Sequence, residues 1–426
     1  MQIEELYQLY LKSTGVSTDT RRIVEGQLFF ALTGEHFNGN EWAQNAVDIG
    51  ANYAIIDQAR YEGDRTILVE DVLASLQELA FYHRQQYQNP VIGLTGSNGK
   101  TTTKELIHLI LSSTYEVNTT AGNYNNHIGV PLTLLRGRLD HDFWLVEMGT
   151  NSPGEIEFLC DLADPDFGLI TNIGAAHLEK LIDLNGVLQE KTSLFRSVLS
   201  NDGYIFLNRG DELLRSSDEY ADEESSKYES SLCGYGRLAL TTSKPHLSFE
   251  IITDEKTYSF DTRLIGRYNQ DNISAALTIG AHFEISINDA IEAISAYEPD
   301  NMRSQLKQTE RNLLLLDNYN ANPTSMKASI TSFIDSQYEA PLCIVGEMLE
   351  SGVNGLAQHK EIVDLLTDAG VPFYLVGAAF CAVSDAAYDN VDHLQAYLSS
   401  EEPLENKTIL LKGSRGVALE RLLDVL

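Results

Sequence analysis

The stretch Val91–Leu111 constrains this chain more than any other. It reads as a short apolar strand, Val91-Ile92-Gly93-Leu94, then the turn Thr95-Gly96-Ser97-Asn98-Gly99-Lys100-Thr101-Thr102, then a helix over Thr103–Leu111. Strand, glycine-rich turn and helix in that order form the context a phosphate-binding loop requires. The glycines let backbone N–H groups turn inward, and the helix N-terminus adds its positive dipole end. Lys100 can neutralise phosphate and Thr101 can ligate Mg2+. The strict G-x4-G-K-[ST] spacing fails, because position 94 is Leu and the upstream glycine is Gly93. Fold context rather than spacing therefore marks Gly96, Ser97, Asn98, Gly99, Lys100, Thr101 and Thr102 as the candidate phosphate site.

Such a loop belongs to an α/β architecture. Short apolar runs alternate with longer amphipathic ones along the chain, the pattern of mostly parallel sheets. At ~100–200 residues per domain, 426 residues point to two to four domains, and three blocks suggest themselves. Residues 1–88 hold the strand candidates Leu28–Leu32, Tyr53–Ile56 and Thr66–Val69, closed by a helical stretch over Val72–Tyr87. Asn89-Pro90 breaks that helix. Residues 89–298 carry the strands VIGLT, FWLVEM, FGLITNI and YIFLN, then a mixed-polarity β region over Ser231–Leu264. Residues 299–426 carry LLLLD, LCIVG, FYLVG and TILLK, each expected to be followed by a helical stretch, and read as a small Rossmann-like domain.

Asp and Glu total 62 against 30 Lys and Arg, a formal charge of −32. Phosphate backbones repel such a polyanion, so nucleic-acid partners are not expected. Small anionic substrates stay open, since a cleft can be locally positive. The four cysteines form no C-x-x-C pair and read as free thiols. The first twelve residues lack the apolar core of a signal peptide, and no run approaches the ~18 apolar residues of a membrane span. A cytoplasmic protein with no membrane partner is the expectation. The acidic stretch Ser217–Ser230 reads as a solvated surface segment.

Further candidates lie past other strands. Glu147 ends the run Phe143–Val146, where a carboxylate can face a nucleotide and hold Mg2+. His177 follows Leu169-Ile170-Thr171-Asn172-Ile173-Gly174-Ala175-Ala176, and a neutral imidazole there could complete a metal shell. On composition alone Lys191 is a surface lysine in mid-helix. Asp317-Asn318-Tyr319-Asn320-Ala321-Asn322-Pro323 could take a ribose or polar substrate, or equally cap the helix after Pro323. Lys412-Gly413-Ser414-Arg415-Gly416 is a basic turn that could meet an anion.

Together these motifs resemble the Mur ligases, the ATP-dependent amide-forming enzymes of peptidoglycan synthesis. The resemblance covers nearly the whole chain. It includes Thr18-Asp19-Thr20-Arg21 and Gly26-Gln27-Leu28-Phe29-Phe30-Ala31-Leu32-Thr33-Gly34, the phosphate turn, and Gly122-Asn123-Tyr124-Asn125-Asn126-His127-Ile128-Gly129-Val130-Pro131. It extends through Glu147-Met148-Gly149, Gly266-Arg267-Tyr268-Asn269 with Asn272, D-N-Y-N-A-N-P and K-G-S-R-G. The N-N-x-x-G-x-P and Y-N-A-N-P motifs are similar to those of the D-alanyl-D-alanine-adding branch, and the D-N-P-R motif of the diaminopimelate-adding branch is absent.

The resemblance implies the roles that follow. The turn would cradle ATP phosphates, with Asn269 and Asn272 at adenine and Arg303 and Asp317 reaching the nucleotide from the third block. Thr101 and Glu147 would hold one Mg2+, and His177 would help hold a second. Lys191 would carry CO2 as a carbamate. The Thr20-Arg21 region would bind the UDP part of a UDP-N-acetylmuramoyl-tripeptide. Asn125, Asn126, Asn320 and Asn322 would line the peptide cleft, and Lys412 and Arg415 would meet substrate anions. A monomer is expected. Two positions depart from the family pattern: Asn38-Gly39-Asn40 stands where Asp-Gly-His is usual, and Met302 stands where Gly usually precedes Arg303. Another muramyl-peptide ligase, a folylpolyglutamate-type ligase and a nucleotide-binding protein without ligase activity remain as alternatives.

Overall fold

Short apolar runs bounded by turns become strands buried on both faces when helices cover each side of a parallel sheet. In the computed structural model, which describes residues 1–221, 225–300 and 302–426, Val91–Thr95 and Phe143–Glu147 are buried at every position. Among the described residues they lie within a six-stranded parallel sheet. Its order is Ser226–Tyr228, Tyr204–Asn208, Phe167–Ile170, Val91–Thr95, Phe143–Glu147 and Val117–Thr119. The chain builds outward from Val91–Thr95 in both directions. The phosphate turn thus leaves the sheet where strand order reverses, the place where open α/β sheets bind ligands.

The first block contributes four parallel strands, Val16–Ser17, Leu28–Phe30, Tyr53–Ile56 and Thr66–Leu68. Helix Val72–Arg84, capped by the Asp71 carboxylate, packs on helices Gly129–Arg136 and Glu155–Ala163 of the second block. Leu76, Leu79 and Ala80 on that helix share one continuous core with Val146, Ile156 and Leu159. Polar ties follow the same seam. The Tyr10 hydroxyl donates to the Leu135 carbonyl at 2.6 Å, and His83 Nε2 donates to Gly137 at 2.7 Å. Burial holds the His83 pKa below its usual value, so the ring stays neutral in this setting. Trp144 stacks on Tyr87 with ring centroids 4.0 Å apart.

After the six-stranded sheet comes an antiparallel one, Leu232–Cys233, Gly236–Thr242, Ser248–Ile252 and Thr257–Asp261. Helices Asn269–His282 and Ile287–Ala296 then pack against the helix of the phosphate turn, Lys100–Ser112. The third block is a further six-stranded sheet among the described residues. Its order is Gln305–Gln308, Leu313–Asp317, Thr408–Lys412, Pro341–Gly346, Phe373–Val376 and Ala387–Tyr388, and the first of these strands runs antiparallel to its neighbour. Met326, Ile330 and Ile362 cover one face, and Val391, Leu394 and Leu422 the other.

Several expectations shift. The helix after the phosphate turn begins at Lys100 rather than Thr103, which puts Lys100 and Thr101 in its first turn. The final strand Thr408–Lys412 is followed by 3-10 turns at Arg415–Val417 and Leu419–Asp424, not by an α-helix, since Ala418 between them is left-handed. Ser217–Ser230 is not simply a solvated segment. Ser226–Tyr228 within it adds an edge strand to the central sheet, and the Tyr228 ring, 1% exposed, is drawn into the core. Residues 222–224 of that stretch lie outside the described residues. Among the described residues, no helix is long and apolar enough to cross a membrane.

Trp144→Ala is expected to lower stability by about 3–5 kcal/mol, the usual result of deleting a buried aromatic side chain. The urea midpoint of the variant, followed by intrinsic fluorescence, measures it.

Candidate active site

The phosphate turn is held rigid from one side. Ser97 N–H donates to the Asn172 carbonyl, Asn98 N–H to Asn172 Oδ1 at 3.0 Å, and Thr171 Oγ1 to the Asn98 carbonyl at 2.6 Å. These bonds hold the turn to the segment that follows strand Phe167–Ile170. Gly96 takes φ 148 and Gly99 takes φ 78. A Cβ on Gly96 would lie 1.9 Å from Thr171 Oγ1, and one on Gly99 would lie 2.3 Å from Asn272 Oδ1. No other residue type fits either place. The first-turn N–H groups of helix Lys100–Ser112 have no partner within the helix and face outward from its N-terminus.

Around this turn sit three ionisable groups withdrawn from water. Lys100 Nζ donates to the Gly96 carbonyl at 2.6 Å, and burial pulls its pKa below the ordinary lysine value. Glu147 Oε1 accepts from Asn125 Nδ2 at 2.8 Å and from Thr101 Oγ1 at 3.3 Å. Its second oxygen, Oε2, is buried with no hydrogen-bond partner. Lys191 is 0% exposed, and its Nζ likewise has no partner. Burial first, then the charge of Lys100, drives the Lys191 pKa well below its ordinary value. The surface position expected from composition is therefore corrected. The helix Leu184–Ser200 turns Lys191 inward together with Val187, Leu194 and Val198. Glu190 beside it accepts from Gly154 N–H, Ile156 N–H and Thr150 Oγ1, pinning the loop that leads into helix Glu155–Ala163.

The third block closes the other side, so that the carboxyl ends of two sheets face a common cleft of about 700 Å³. Asn322 Nδ2 donates to Asn98 Oδ1 at 2.8 Å, and Ala175 N–H donates to Thr324 Oγ1 at 3.0 Å. His177 Nδ1 lies 2.9 Å from Glu350 Oε2, and that contact keeps the Glu350 pKa below the ordinary carboxylate value. Lys412 pairs with Asp317 at 3.0 Å, and the Tyr268 hydroxyl donates to the same carboxylate. Arg303 stacks on Tyr319, its guanidinium carbon 3.6 Å from the ring centre. Met302 before it adopts φ 58, a conformation that glycine takes freely, which accounts for the glycine usual at this place.

Ser97 to Thr102 of the phosphate turn, Glu147, His177, Asn125, Asn126, Asn269, Asn272, Arg303, Asp317, Asn320, Asn322 and Lys412 line this one cleft, while Gly96 packs behind it on Thr171. Several of them hold structure as well. Asn126 Oδ1 accepts from Ile128 and Gly129 N–H, Asn322 caps helix Pro323–Asp335, and Asn269 and Asn272 are bonded to each other. Other residues are not brought to the cleft. Lys191 lies behind its lining, and Arg415 sits over the outer side of Tyr319 at 5.2 Å. Thr20 and Arg21 form a 3-10 turn of the first block, where Arg21 is 86% exposed and paired with Asp19. Its neighbour Arg22 reaches the Tyr124 hydroxyl next to Asn125. Asn40, at the departure from Asp-Gly-His, is buried and clamps Asp57 through two hydrogen bonds. Among the described residues, no three His, Cys, Asp or Glu side chains converge into a metal cage.

Sequence reading missed Glu350, Glu190 and Asp271. Glu350 lies four residues past strand Pro341–Gly346, and the carboxylate-beyond-a-strand signal alone would have pointed first to Glu347, which bonds Ala379 N–H instead. Asp271 lines the cleft beside Asp211, and burial with that neighbour pushes its pKa up to about 6.

A nucleotide-phosphate turn facing a second α/β sheet across a polar cleft is the layout of an ATP-driven ligase. The profile of the Mur ligase middle domain matches residues 94–280, which hold the turn, Glu147, His177 and Lys191. The UDP-N-acetylmuramoyl-tripeptide–D-alanyl-D-alanine ligase of Bacillus subtilis is 34% identical over 96% of this chain and 92% of its own length. A crystal structure of MurF from Acinetobacter baumannii superposes with a TM-score of 0.84 at 26% identity, covering 99% of this chain and 98% of that one. The MurF ligase of Thermotoga maritima in complex with ADP shares the fold, with a TM-score of 0.82 at 23% identity over 98% of this chain and 97% of that one. The chain belongs to the Mur ligases, and within them to the family of UDP-N-acetylmuramoyl-tripeptide–D-alanyl-D-alanine ligases.

Gly96→Ala is expected to weaken ATP binding by about 10-fold or more, about 1.4 kcal/mol, since the turn must shift off Thr171 to admit the Cβ and its N–H groups then leave the places that receive phosphate. Calorimetric titration with ATP measures it.

Proposed function

We propose that this protein joins D-alanyl-D-alanine to UDP-N-acetylmuramoyl-tripeptide, cleaving ATP to ADP and phosphate. A carboxylate is a poor electrophile, because oxide would have to leave. Transfer of the ATP γ-phosphoryl group to the tripeptide carboxylate gives an acyl phosphate. The dipeptide amine then attacks, and the tetrahedral intermediate collapses to the amide as phosphate leaves. The observation that carries this reading is a phosphate turn with an unpartnered carboxylate oxygen at its side and, behind the cleft lining, an unpartnered buried amine that feels the charge of Lys100. A bare nucleotide-binding protein has no need of that pair.

The residues divide the work. The turn Gly96–Thr102 receives the phosphates, and Lys100 exchanges its bond to the Gly96 carbonyl for one to phosphate. The unpartnered Glu147 oxygen and Thr101 would hold one Mg2+, and His177, with Lys191 once carbamylated, would hold a second. When bound, these ions supply the charge that lets a carboxylate approach a triphosphate. Burial drives the Lys191 pKa well below its ordinary value and so favours the free amine that CO2 requires; Lys191 thus suits carbamylation, which would turn an orphaned amine into an anionic ligand. Asn269, Asn272, Arg303 and Asp317 take the nucleotide. Asn125, Asn126, Asn320, Asn322 and Lys412 take the peptide end. The first block, through the loops around Thr20 and Arg21, takes UDP. Residues 1–88, 89–298 and 299–426 act as the three domains, and the reading carries with it a cytoplasmic monomer acting on small anionic molecules.

Phosphate release from purified protein with ATP and UDP-muramyl-tripeptide is expected to require D-alanyl-D-alanine. Release without any amine would mark a bare ATPase and overturn the reading. Lys100→Ala is expected to abolish product. Lys191→Ala is expected to lose most turnover and regain part of it with an added short carboxylic acid, and full activity without rescue would exclude the carbamate. Glu147→Ala is expected to cut turnover and change the Mg2+ titration of the rate.

A further inference from the structure

The segment between strand Phe167–Ile170 and helix Leu184–Ser200 is held in a conformation it would not choose alone. His177 takes φ 54, the left-handed region. A helix of one turn, Leu178–Leu181, follows and ends at Ile182 with φ 70 and ψ −61. Asp183 N–H donates to the Leu181 carbonyl at 2.8 Å, closing a γ-turn on a β-branched residue that is 81% exposed. Such a turn is strained, and it persists only where neighbouring structure over-determines it. Helix Leu184–Ser200 supports this turn from within its own block, and the third block supplies further neighbours. Thr324 Oγ1 accepts from Ala175 N–H ahead of the histidine, and Gly352 packs on the Leu178–Glu179 backbone after it, where a Cβ would lie 3.2 Å from the Leu178 carbonyl carbon. Between these two contacts, Glu350 accepts from His177 Nδ1 at 2.9 Å.

With Nδ1 committed to a carboxylate, Nε2 is the nitrogen left for the cleft that His177 lines. A second partner of this kind fixes both the tautomer and the ring plane of a histidine that works through its other nitrogen. Taking His177 as a residue of the reaction centre, we propose that Glu350 is its positioning residue. Because Glu350 arrives on the third block, the histidine is aligned only when that block is seated against the central sheet. Site assembly and seating of the third block are thereby one event.

The variants Glu350→Ala, Glu350→Gln and His177→Ala, singly and with Glu350→Ala combined with His177→Ala, test this. Glu350→Ala is expected to lower kcat by about 10- to 100-fold, the usual effect of removing the partner behind such a histidine. KM for ATP should stay within about twofold, because the phosphate turn is untouched, and Glu350→Gln should recover part of kcat through its amide oxygen. In the double variant the two losses should not add. The metal-free protein labelled with 15N-histidine gives a readout apart from activity. The His177 ring of the wild type should carry its proton on Nδ1, and Glu350→Ala should shift it toward a tautomer mixture. Additive losses, or an unchanged ring signal in Glu350→Ala, would overturn the proposal. Full activity of Glu350→Ala beside an inactive His177→Ala would overturn it alone. Full activity of His177→Ala would overturn the role of the histidine itself, and the proposal with it.

Discussion

A charged group buried without a partner is among the least favourable things a folded chain can contain. This protein keeps two ionisable groups short of partners near its phosphate turn, the outer oxygen of Glu147 and, behind the cleft lining, the amine of Lys191, whose pKa burial drives down. Most of what surrounds them serves to make that arrangement persist. Asn125 and Thr101 hold the first oxygen of Glu147, the Glu190 carboxylate secures the loop from Thr150 to Ile156, and helix Leu184–Ser200 turns Lys191 inward on an apolar face. On the proposed reading, the metal held by Glu147 and the CO2 taken up by Lys191 would offset the loss of solvation.

The same logic reconciles a chain of charge −32 with anionic substrates. Lys412 is already neutralised by Asp317, and Arg303 is laid flat on Tyr319. Arg21 and Arg415, which sequence reading grouped with them, stay outside. The cleft is therefore less a basic patch than a set of donors: first-turn N–H groups, Lys100 and paired asparagines. Directional donors stabilise developing charge in a water-poor site better than mobile surface cations do.

The phosphate turn, the four inner strands of each large sheet and Glu147 were legible because each depends on local sequence, whereas the short edge strands Val117–Thr119, Gln305–Gln308 and Ala387–Tyr388 were not read. Val91–Thr95, Tyr204–Asn208, Leu313–Asp317 and Thr408–Lys412 follow directly from apolar runs between turn residues. What escaped depends on contacts distant in the chain. Lys191 looks like any helical lysine until its helix is packed, and Glu350 gains meaning only once it meets His177 from another sheet. Ser226–Tyr228 was hidden among acidic neighbours whose polarity suggested water, although its aromatic residue carried it into the sheet. Asn40 replaces the family histidine by satisfying Asp57, a relation that no spacing reveals.

The seam between the first block and the central sheet differs in kind from the seam with the third. The former is a single apolar core, closed by Tyr10, His83 and the stacked pair Tyr87–Trp144. The latter includes polar contacts at Asn322, Thr324 and Glu350. The distance from the first block to the phosphate turn is therefore set when the chain folds. A substrate anchored at one end of that span presents its other end at a fixed reach. With UDP anchored in the first block as proposed, the enzyme would act as a ruler, and peptide length would count before any side chain is read.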